Sequence, residues 1–172
     1  MKPFSVALFA SAMAVLTVTG GAINQAQAGE VRGPFRTEHM KTDEGVLRVK
    51  SSYSVAETVV RLKADIAAKG IRFFDEIDQQ KLAADAGITL NPSTLLVFGN
   101  PPLGTQFLSA NPYSGLDWPV RMLVLQDADG QVWIAYTDFT YIAHRHHITD
   151  RDPQFAMATM VAASIASAAQ AQ

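Results

Sequence analysis

An apolar run of five residues, followed at once by a loop rich in glycine and proline, most constrains the fold of this chain. Residues 94–98 (TLLVF) are uncharged and nearly all apolar, a pattern typical of a strand covered on both faces. Residues 99–105 (GNPPLGT) follow. Asn100 before two prolines favours a helix start, because Asn is a good N-cap and proline in the first turn loses no hydrogen bond. Such a strand requires a sheet that is packed against other layers.

Strand and helix patterns alternate along the rest of the chain. Ser54 begins a capping box, and apolar residues then recur every three or four positions up to Gly70, which predicts a helix. Residues 127–130 (DADG) predict a hairpin turn between two strands. The last helix is expected to begin at Asp152. Its predicted core stripe consists of Met157, Val161, Ile165 and Ala168.

The predicted order of elements is β-α-β-α-β-α-β-β-α-α. No segment repeats at a period of 20 to 50 residues, which excludes a solenoid or propeller. We therefore predict an α/β (α+β) fold, namely a single two-layer domain with helices packed on a mixed β-sheet.

The N-terminus has the pattern of a secretory signal peptide. Lys2 precedes an apolar run at residues 4–18, which is shorter than the about 20 residues that span a bilayer. Residues 26–28 (AQA) form a small-residue cleavage site. The expected division of the chain is a signal peptide at 1–28, a flexible lead-in at 29–45 and one domain at 46–172. We therefore expect a periplasmic or secreted protein that has no membrane contact after signal cleavage.

Charge and cysteine content exclude several classes of function. The formal net charge is -2, and loss of Lys2 with the signal peptide makes the mature chain more acidic by one charge. A weakly acidic protein has no electrostatic attraction to nucleic acid. The absence of cysteine excludes disulfides, a thiolate nucleophile and thiolate metal ligands.

Several segments resemble one known family, the DUF302 domains, whose fold is called TT1751-like. The segments that carry the resemblance are residues 53–58 (YSVAET), 73–78 (FFDEID), 95–101 (LLVFGNP), 104–105 (GT), 115–119 (GLDWP) and 129–136 (DGQVWIAY). The resemblance implies a small α/β domain, able to form a homodimer, with no established reaction. Members of the family often carry a His at the position of Gln79 in this chain. Any site that uses that His is lost or replaced here.

The loop that begins at Asn100 is the first candidate site. It follows the end of a buried strand, where ligands of α/β sheets bind, and the next helix favours an anion. Pro101 and Pro102 each remove an amide donor, however, so a nucleotide site is poorly supported. The alternative interpretation is architectural, with Asn100 as cap and Gly104 as a point of close approach. The predicted ligand-binding residues in this loop are Asn100, Gly104 and Thr105.

Asp117 and Arg121 form the second candidate. A carboxyl group beside Trp118 is open to desolvation, which raises a pKa and suits a general acid or base. The alternative role for Asp117 is to brace a turn through its own backbone. Arg121 lies four residues further on and is expected to face the same crevice, as a partner for a carboxylate or an anionic ligand.

The third candidate is the histidine cluster. His144 and His147 are three residues apart and share a face if this segment is helical. Imidazole suits Zn or Cu, although a metal site needs three or four ligands. A solvated helix end that stabilises the helix dipole explains the cluster equally well. No strong motif in the sequence requires a cofactor.

The preferred hypothesis is an exported module that binds an unknown small molecule in a crevice near Asn100, Asp117 and Arg121. One alternative is a small hydrolase or isomerase that uses Asp117 as its acid or base. The other is a periplasmic Zn or Cu binder that uses His144 and His147. The first is preferred because no group of residues meets the nucleophile–base or metal-ligand requirement.

Overall fold

The computed structural model describes residues 40–42 and 44–171. The predicted signal peptide and most of the predicted lead-in lie outside the described residues. The elements are β1 (Met40–Lys41), β2 (Val46–Lys50), α1 (Val55–Ala68), β3 (Arg72–Asp78), α2 (Gln79–Asp85), β4 (Ser93–Gly99), α3 (Pro101–Ala110), a 3-10 turn (Pro112–Leu116), β5 (Val120–Gln126), β6 (Val132–Thr137), α4 (Phe139–Arg145) and α5 (Asp152–Ser167). Within the described residues, no helix combines the length and apolar character needed to cross a membrane.

All described strands join one sheet in the order β1-β2-β6-β5-β4-β3. The two-layer α+β architecture is confirmed, but each described strand pair is antiparallel, so the sheet is not mixed as predicted. Connection length accounts for one of these pairs. The five residues between β5 and β6 are too few for the crossover of about a dozen residues that parallel neighbours need, whereas the 14 residues between β3 and β4 and the 20 between β4 and β5 are long enough for either direction. The longer α1 joins β2 to β3, which are not neighbours in the sheet.

The helices cover one face of the sheet, and the core lies between the two layers. Leu62 and Ile66 of α1 and Ile165 of α5 are buried there. The buried strand residues on this face are Val49, Leu96, Phe98, Met122, Val124, Val132, Ile134 and Tyr136. Burial of each large aliphatic side chain stabilises the fold by about 1.5–3 kcal/mol.

The opposite face of the sheet, called the outer face, is also apolar. On this face Arg121 lies in register with Val97. Its apolar residues are Ile77, Leu95, Val97, Leu123, Leu125, Trp133 and Ala135, all of which stand outside the helix-covered core. Except for the small Ala135, these side chains are only half-buried. The prediction that both faces of β4 are covered is therefore wrong for the described part of the chain, where helices cover one face.

The last helix is rotated relative to the predicted stripe. Ile165 is buried as expected, but Met157 is 52% exposed. The buried residues of α5 are Phe155, Ala158, Ala162, Ile165 and Ala166. Phe155 stacks on Phe107 of α3 with ring centroids 4.2 Å apart. This aromatic contact buries more surface than any alanine in the stripe, and it sets which side of the helix faces the core.

The end of the predicted lead-in is ordered against the domain. Met40–Lys41 pairs with β2, which corrects the prediction of a flexible segment up to residue 45. An ion pair of 2.5 Å joins the Lys41 ammonium to the buried carboxylate of Asp138, the N-cap of α4. The side chain of Asp138 also accepts from the backbone N–H and the hydroxyl of Thr140. Burial raises the pKa of Asp138, but these hydrogen bonds and the Lys41 charge outweigh it, so the pKa lies below the usual 3.8.

Candidate functional site

The two turn-rich loops singled out in the sequence meet in space, and they meet through Trp118. The Trp118 indole lies against Gly99 at the end of β4 and against Gly104 in α3. A Cβ atom at Gly104 would collide with the indole, so only glycine fits there without displacing the ring. The edge of Phe74 contacts the same indole, with ring centroids 6.1 Å apart. This junction is an apolar contact between two loops.

The Asn100 side of the junction has little room for a ligand. Asn100 and Gly104 line a small cavity of about 30 Å³ with Trp118 and core side chains. That volume suits about one water molecule. Asn100 occupies the N-cap position of α3, but its side chain makes no capping hydrogen bond. The hydroxyl of Thr105 donates to the Pro101 carbonyl, 2.7 Å away, within the helix.

Asp117, the residue before this tryptophan, forms the centre of an ionic cluster. One of its oxygens, Oδ1, lies 3.2 Å from Nη1 of Arg145 and 3.4 Å from Nη2 of Arg121. The other, Oδ2, lies 2.6 Å from Nε2 of His146. We refer to Asp117, Arg121, Arg145 and His146 as the Asp117 cluster. Asp117 and Arg121 are thus brought together as the sequence predicted, but Asn100 and Gly104 belong to a separate, apolar junction, and Thr105 is exposed on α3.

Local structure explains how the cluster assembles. Asp117 follows the 3-10 turn as its C-cap, and Arg121 lies at the start of β5. Arg145 is the last residue of α4 and His146 is its C-cap. The side-chain amide of Asn111 donates to the His146 carbonyl at 2.8 Å and fastens the end of α4 to the 3-10 turn.

Burial divides the cluster into an inner and an outer part. The side chains of Asp117 and His146 are 4% and 6% exposed, whereas those of Arg121 and Arg145 are 51% and 48% exposed. Two guanidinium groups around one carboxylate leave an excess positive charge, even before any charge on His146 is counted. The cluster therefore presents a cationic surface supported by a buried acid.

The geometry favours a positioning role for Asp117 over proton transfer. Both of its oxygens have partners, and a general acid or base must reach a substrate proton. Substrate access to a side chain that is 4% exposed would require the cluster to open. The carboxylate instead holds three side chains from β5 and the end of α4 at one point.

His146 and Arg145 are the site residues that sequence reasoning missed. The helical spacing of His144 and His147 drew attention to those two residues, while His146 between them faces the interior. His146 and Asp117 are 29 positions apart in the sequence. No local pattern signals a contact over that separation, although Asp117 itself was identified as a candidate.

The two predicted metal ligands line a different groove. His144 and His147 border a concavity of about 550 Å³ between α4 and α5, together with Asp152. Among the residues that the structure describes, no three His, Asp or Glu side chains are arranged to hold a metal ion. His147 adopts a left-handed φ of 52°, just after the end of α4. The predicted Zn or Cu site therefore has no third ligand in this part of the chain.

Glu76, Asp78 and Gln79 have structural partners. Along a wide groove between α1 and β3, Glu76 forms a 2.6 Å ion pair with Lys63. Asp78 accepts a hydrogen bond from the Lys81 backbone amide as the N-cap of α2. Gln79, which stands where relatives often carry His, accepts a hydrogen bond from Ser93 at 2.8 Å. This contact joins α2 to β4.

Three proteins of Brucella match part of this chain. The "Fluoride-specific ion channel FluC 1" of Brucella suis biovar 1 (strain 1330) is 38% identical over 106 residues, which cover 62% of this chain and 42% of that protein. The protein of the same name from Brucella abortus biovar 1 (strain 9-941) is 38% identical over 106 residues and is covered to 39%. The chain thus spans about two-fifths of the length of these relatives.

A solved structure and a family model match most of the chain. The "crystal structure of uncharacterized conserved protein DUF302 from Bacillus stearothermophilus" aligns with a TM-score of 0.67 at 18% sequence identity, over 73% of this chain and 98% of that one. That likeness shows the fold. The family model described as "Domain of unknown function DUF302" matches residues 47–171, which include every segment of the domain from β2 to α5. This chain therefore belongs to the DUF302 family.

Proposed function

We propose that this chain is a binding module that recognises a small anion at Arg121 and Arg145. The observation that carries the proposal is that two half-exposed guanidinium groups lie against the same buried oxygen, Oδ1 of Asp117. One carboxylate neutralises only one of them. The second positive charge is available to a ligand.

Each of the two guanidinium groups has N–H donors that form no hydrogen bond to the described residues. Each carries five N–H donors. In the described part of the chain, Arg145 donates to Asp117 through Nη1 alone. Arg121 donates to Asp117 and to the Leu116 carbonyl through Nη2 alone. Planar guanidinium groups bind carboxylates and phosphates through paired hydrogen bonds. Asp117 holds both groups in place before a ligand arrives, which lowers the entropy cost of binding.

The comparisons support an anion as the class of ligand. The Brucella relatives are named as channels for fluoride, an anion, and they share their similarity with this chain over 106 residues. In this proposal the shared segment serves as an anion-binding part that accompanies, but does not form, a membrane channel. The signal-peptide pattern of residues 1–28 supports action outside the cytoplasm.

Titration of the purified protein with three sodium salts tests the proposal. Phosphate, acetate and fluoride are added at constant ionic strength, and binding is followed by backbone amide NMR shifts. We expect saturable shifts around Asp117 and His146. The Arg145→Gln variant should weaken binding at least about tenfold, because a hydrogen bond to a charged group contributes about 1.5–3 kcal/mol.

Arg61→Gln is the matched control, since it removes the same charge from a surface arginine of α1 that pairs with Glu57. It should leave the affinity unchanged. An equal loss in both variants would mean that only overall charge matters. That result, or the absence of saturable binding of all three anions, would refute the proposed site.

A further inference from the structure

Arg121 belongs to two surfaces, the Asp117 cluster and the outer face of the sheet. Its Nη2 atom reaches Oδ1 of Asp117, whereas its backbone lies in register with Val97 of β4. Side chains alternate along β5, so Met122 enters the core while Arg121 and Leu123 lie on the outer face. The proposed anion site therefore lies at one end of that face.

Apolar side chains continue from Arg121 along the outer face. Leu123 and Leu125 follow on β5. Leu95 lies opposite Leu123 in β4, and Trp133 lies opposite Leu125 in β6. A solvated face of an antiparallel sheet normally carries polar residues at such positions. At the rise of a strand, the stripe from Arg121 to Leu125 is about 13 Å long, which is enough for an alkyl chain of medium length.

The charges of the outer face are mainly positive. The described strands place four basic residues and one acid on it, namely Arg48, Lys50, Arg72, Arg121 and Asp75. A second carboxylate, that of Asp127, follows β5 and accepts from the indole Nε1–H of Trp133 at 2.7 Å. Asp75 lies two strands away from Arg121, so about 10 Å separates their backbones. The excess of cations favours an anionic ligand over a cationic one.

A leucine of the 3-10 turn adds apolar surface beside the guanidinium groups. The carbonyl of Leu116 accepts a hydrogen bond from Nη2 of Arg121 at 2.8 Å, and Leu116 is 66% exposed. Small-molecule sites combine apolar surface with a few polar groups that fix the orientation of the ligand. Two guanidinium groups at the end of an apolar stripe therefore suit a ligand that is charged at one end only.

We propose that the ligand of this chain is an amphiphilic anion, with a carboxylate or phosphate head and an alkyl chain, as in a fatty acid. The head binds Arg121 and Arg145, and the alkyl chain lies along Leu123 and Leu125 on the outer face. The inference rests on the proposed anion site and adds the class of ligand. Removal of the methylene groups from water supplies the additional free energy of binding.

A series of sodium carboxylates tests the inference. Acetate, butanoate, hexanoate and octanoate are titrated into the purified protein at constant ionic strength, and binding is followed by backbone amide NMR shifts. Affinity should rise about twofold for each added methylene, as half-burial of the alkyl chain requires, and so about 60-fold from acetate to octanoate. Shifts near Asp117 should appear with every carboxylate, whereas shifts at Leu123 and Leu125 should grow with chain length.

Two variants of the outer face have a matched control. Leu123→Asn should weaken octanoate binding at least about fivefold, because it removes apolar surface that the alkyl chain covers, and it should leave acetate binding unchanged. Val97→Thr keeps the branched shape of the side chain and should have a smaller effect of the same kind. Val60→Asn makes the same kind of change at a side chain of α1 that is 61% exposed, and it should alter neither affinity.

The failure of this inference differs from the failure of the anion site. Octanoate that binds no more tightly than acetate would overturn the amphiphile and leave the anion site intact. The absence of saturable binding by every carboxylate would refute both.

Two further ligands test the charge and the source of the amphiphile. Octanol has the alkyl chain without the charge and should bind at least about tenfold more weakly than octanoate. Equal binding of the two, or octanoate binding that Arg145→Gln leaves unchanged, would overturn the proposal. In sedimentation with phosphatidylglycerol vesicles, we expect the protein to stay in the supernatant. Co-sedimentation would assign the outer face to a bilayer surface and would also overturn it.

Discussion

Asp117 and Trp118 are adjacent in the sequence, yet they organise two opposite kinds of environment. Trp118 packs against Gly99 and Gly104 in an apolar junction that leaves a cavity of about 30 Å³. Asp117 gathers Arg121, Arg145 and His146 in an ionic cluster whose arginine groups are half-exposed. Close packing of the indole against two glycines leaves little space in the Trp118 junction. The Asp117 cluster is held together by opposite charges, and its arginine side chains remain accessible to solvent.

Two neighbouring residues of the segment 115–119 (GLDWP) thus have different roles. Trp118 packs two loops together, and Asp117 holds charged side chains near the surface. The tryptophan side explains why glycine occupies both contact positions, since larger side chains would displace the ring. The aspartate side explains how two like charges are held close together, because each is attracted to the same carboxylate. Of the two sides, the second has hydrogen-bond donors that face solvent, and it is there that we propose an anion binds.

The largest effect is expected at the ionic side. Asp117→Asn removes the carboxylate that three side chains share and leaves His146 buried without its anionic partner. We expect the free energy of unfolding in urea to fall by about 3 kcal/mol, because removal of one member of a buried ion pair costs about 3–5 kcal/mol and the arginines here are partly solvated. Asp150→Asn removes an acid that is 66% exposed in its pair with Arg151, and it should change stability by less than about 0.5 kcal/mol.

A loss below about 1 kcal/mol for Asp117→Asn would contradict the idea that this carboxylate holds the cluster together. The Asp117 contacts would then contribute no more to the free energy of unfolding than the Trp118 contacts do.

The apolar side is tested by Gly104→Ala. The added methyl group must displace the Trp118 indole, so we expect a loss of about 2 kcal/mol, even though alanine is the better helix former. Gly115→Ala is the matched control, because no atom lies within reach of the added methyl group. A shift of tryptophan emission to longer wavelength in Gly104→Ala alone would show that the ring has moved. Equal stabilities of the two variants would mean that the junction accommodates the methyl group without strain.

The smallest effect is expected at Asp138, which is a buried carboxylate like Asp117 but has one cationic partner, Lys41, in the described part of the chain. Its pKa is lowered in the folded state by the hydrogen bonds that outweigh burial. The stability that it contributes is therefore present above about pH 4, the unfolded pKa, and is lost as the pH falls through the folded pKa. Asp138→Asn keeps a good N-cap and should cost about 1 kcal/mol at pH 7.

The measurement is the free energy of unfolding at pH 7, 5 and 3. The curves of the wild type and Asp138→Asn should converge toward pH 3. A difference that stays constant over this range would show that the charge of Asp138 is not what stabilises the entry to α4. The larger loss of stability expected for Asp117→Asn would then be explained by burial of the carboxylate and not by its number of cationic partners.

Local sequence signals predicted most of the elements correctly. The Ser54 N-cap of α1 and the hairpin turn at Gly130 both occur as expected. Each of these depends on hydrogen bonds or dihedral angles within a few residues, which a sequence pattern reports directly. The rotation of α5 was not predicted, because it depends on the contact between Phe155 and Phe107, which lie in different helices.

The candidate site shows the same division. Asp117 and Arg121 are four residues apart, and a single turn brings them together, so the sequence identified both. Arg145 and His146 reach Asp117 from the end of α4, and helical spacing pointed instead to His144 and His147. Asn100, Gly104 and Thr105 looked like a ligand loop because capping and close packing use the same residue types as ligand binding.

By itself, the sequence determined the family, the order of the elements and the places where each begins and ends, because those properties follow from side-chain periodicity and from turn chemistry over a few neighbouring residues. Only the tertiary structure decided that the sheet is antiparallel, that the described helices cover one of its faces, and that three side chains, two of them from the end of α4, surround the buried carboxylate of Asp117. These features depend on contacts between residues far apart in the chain, and the strength of such contacts is set by burial and distance, which no local pattern records.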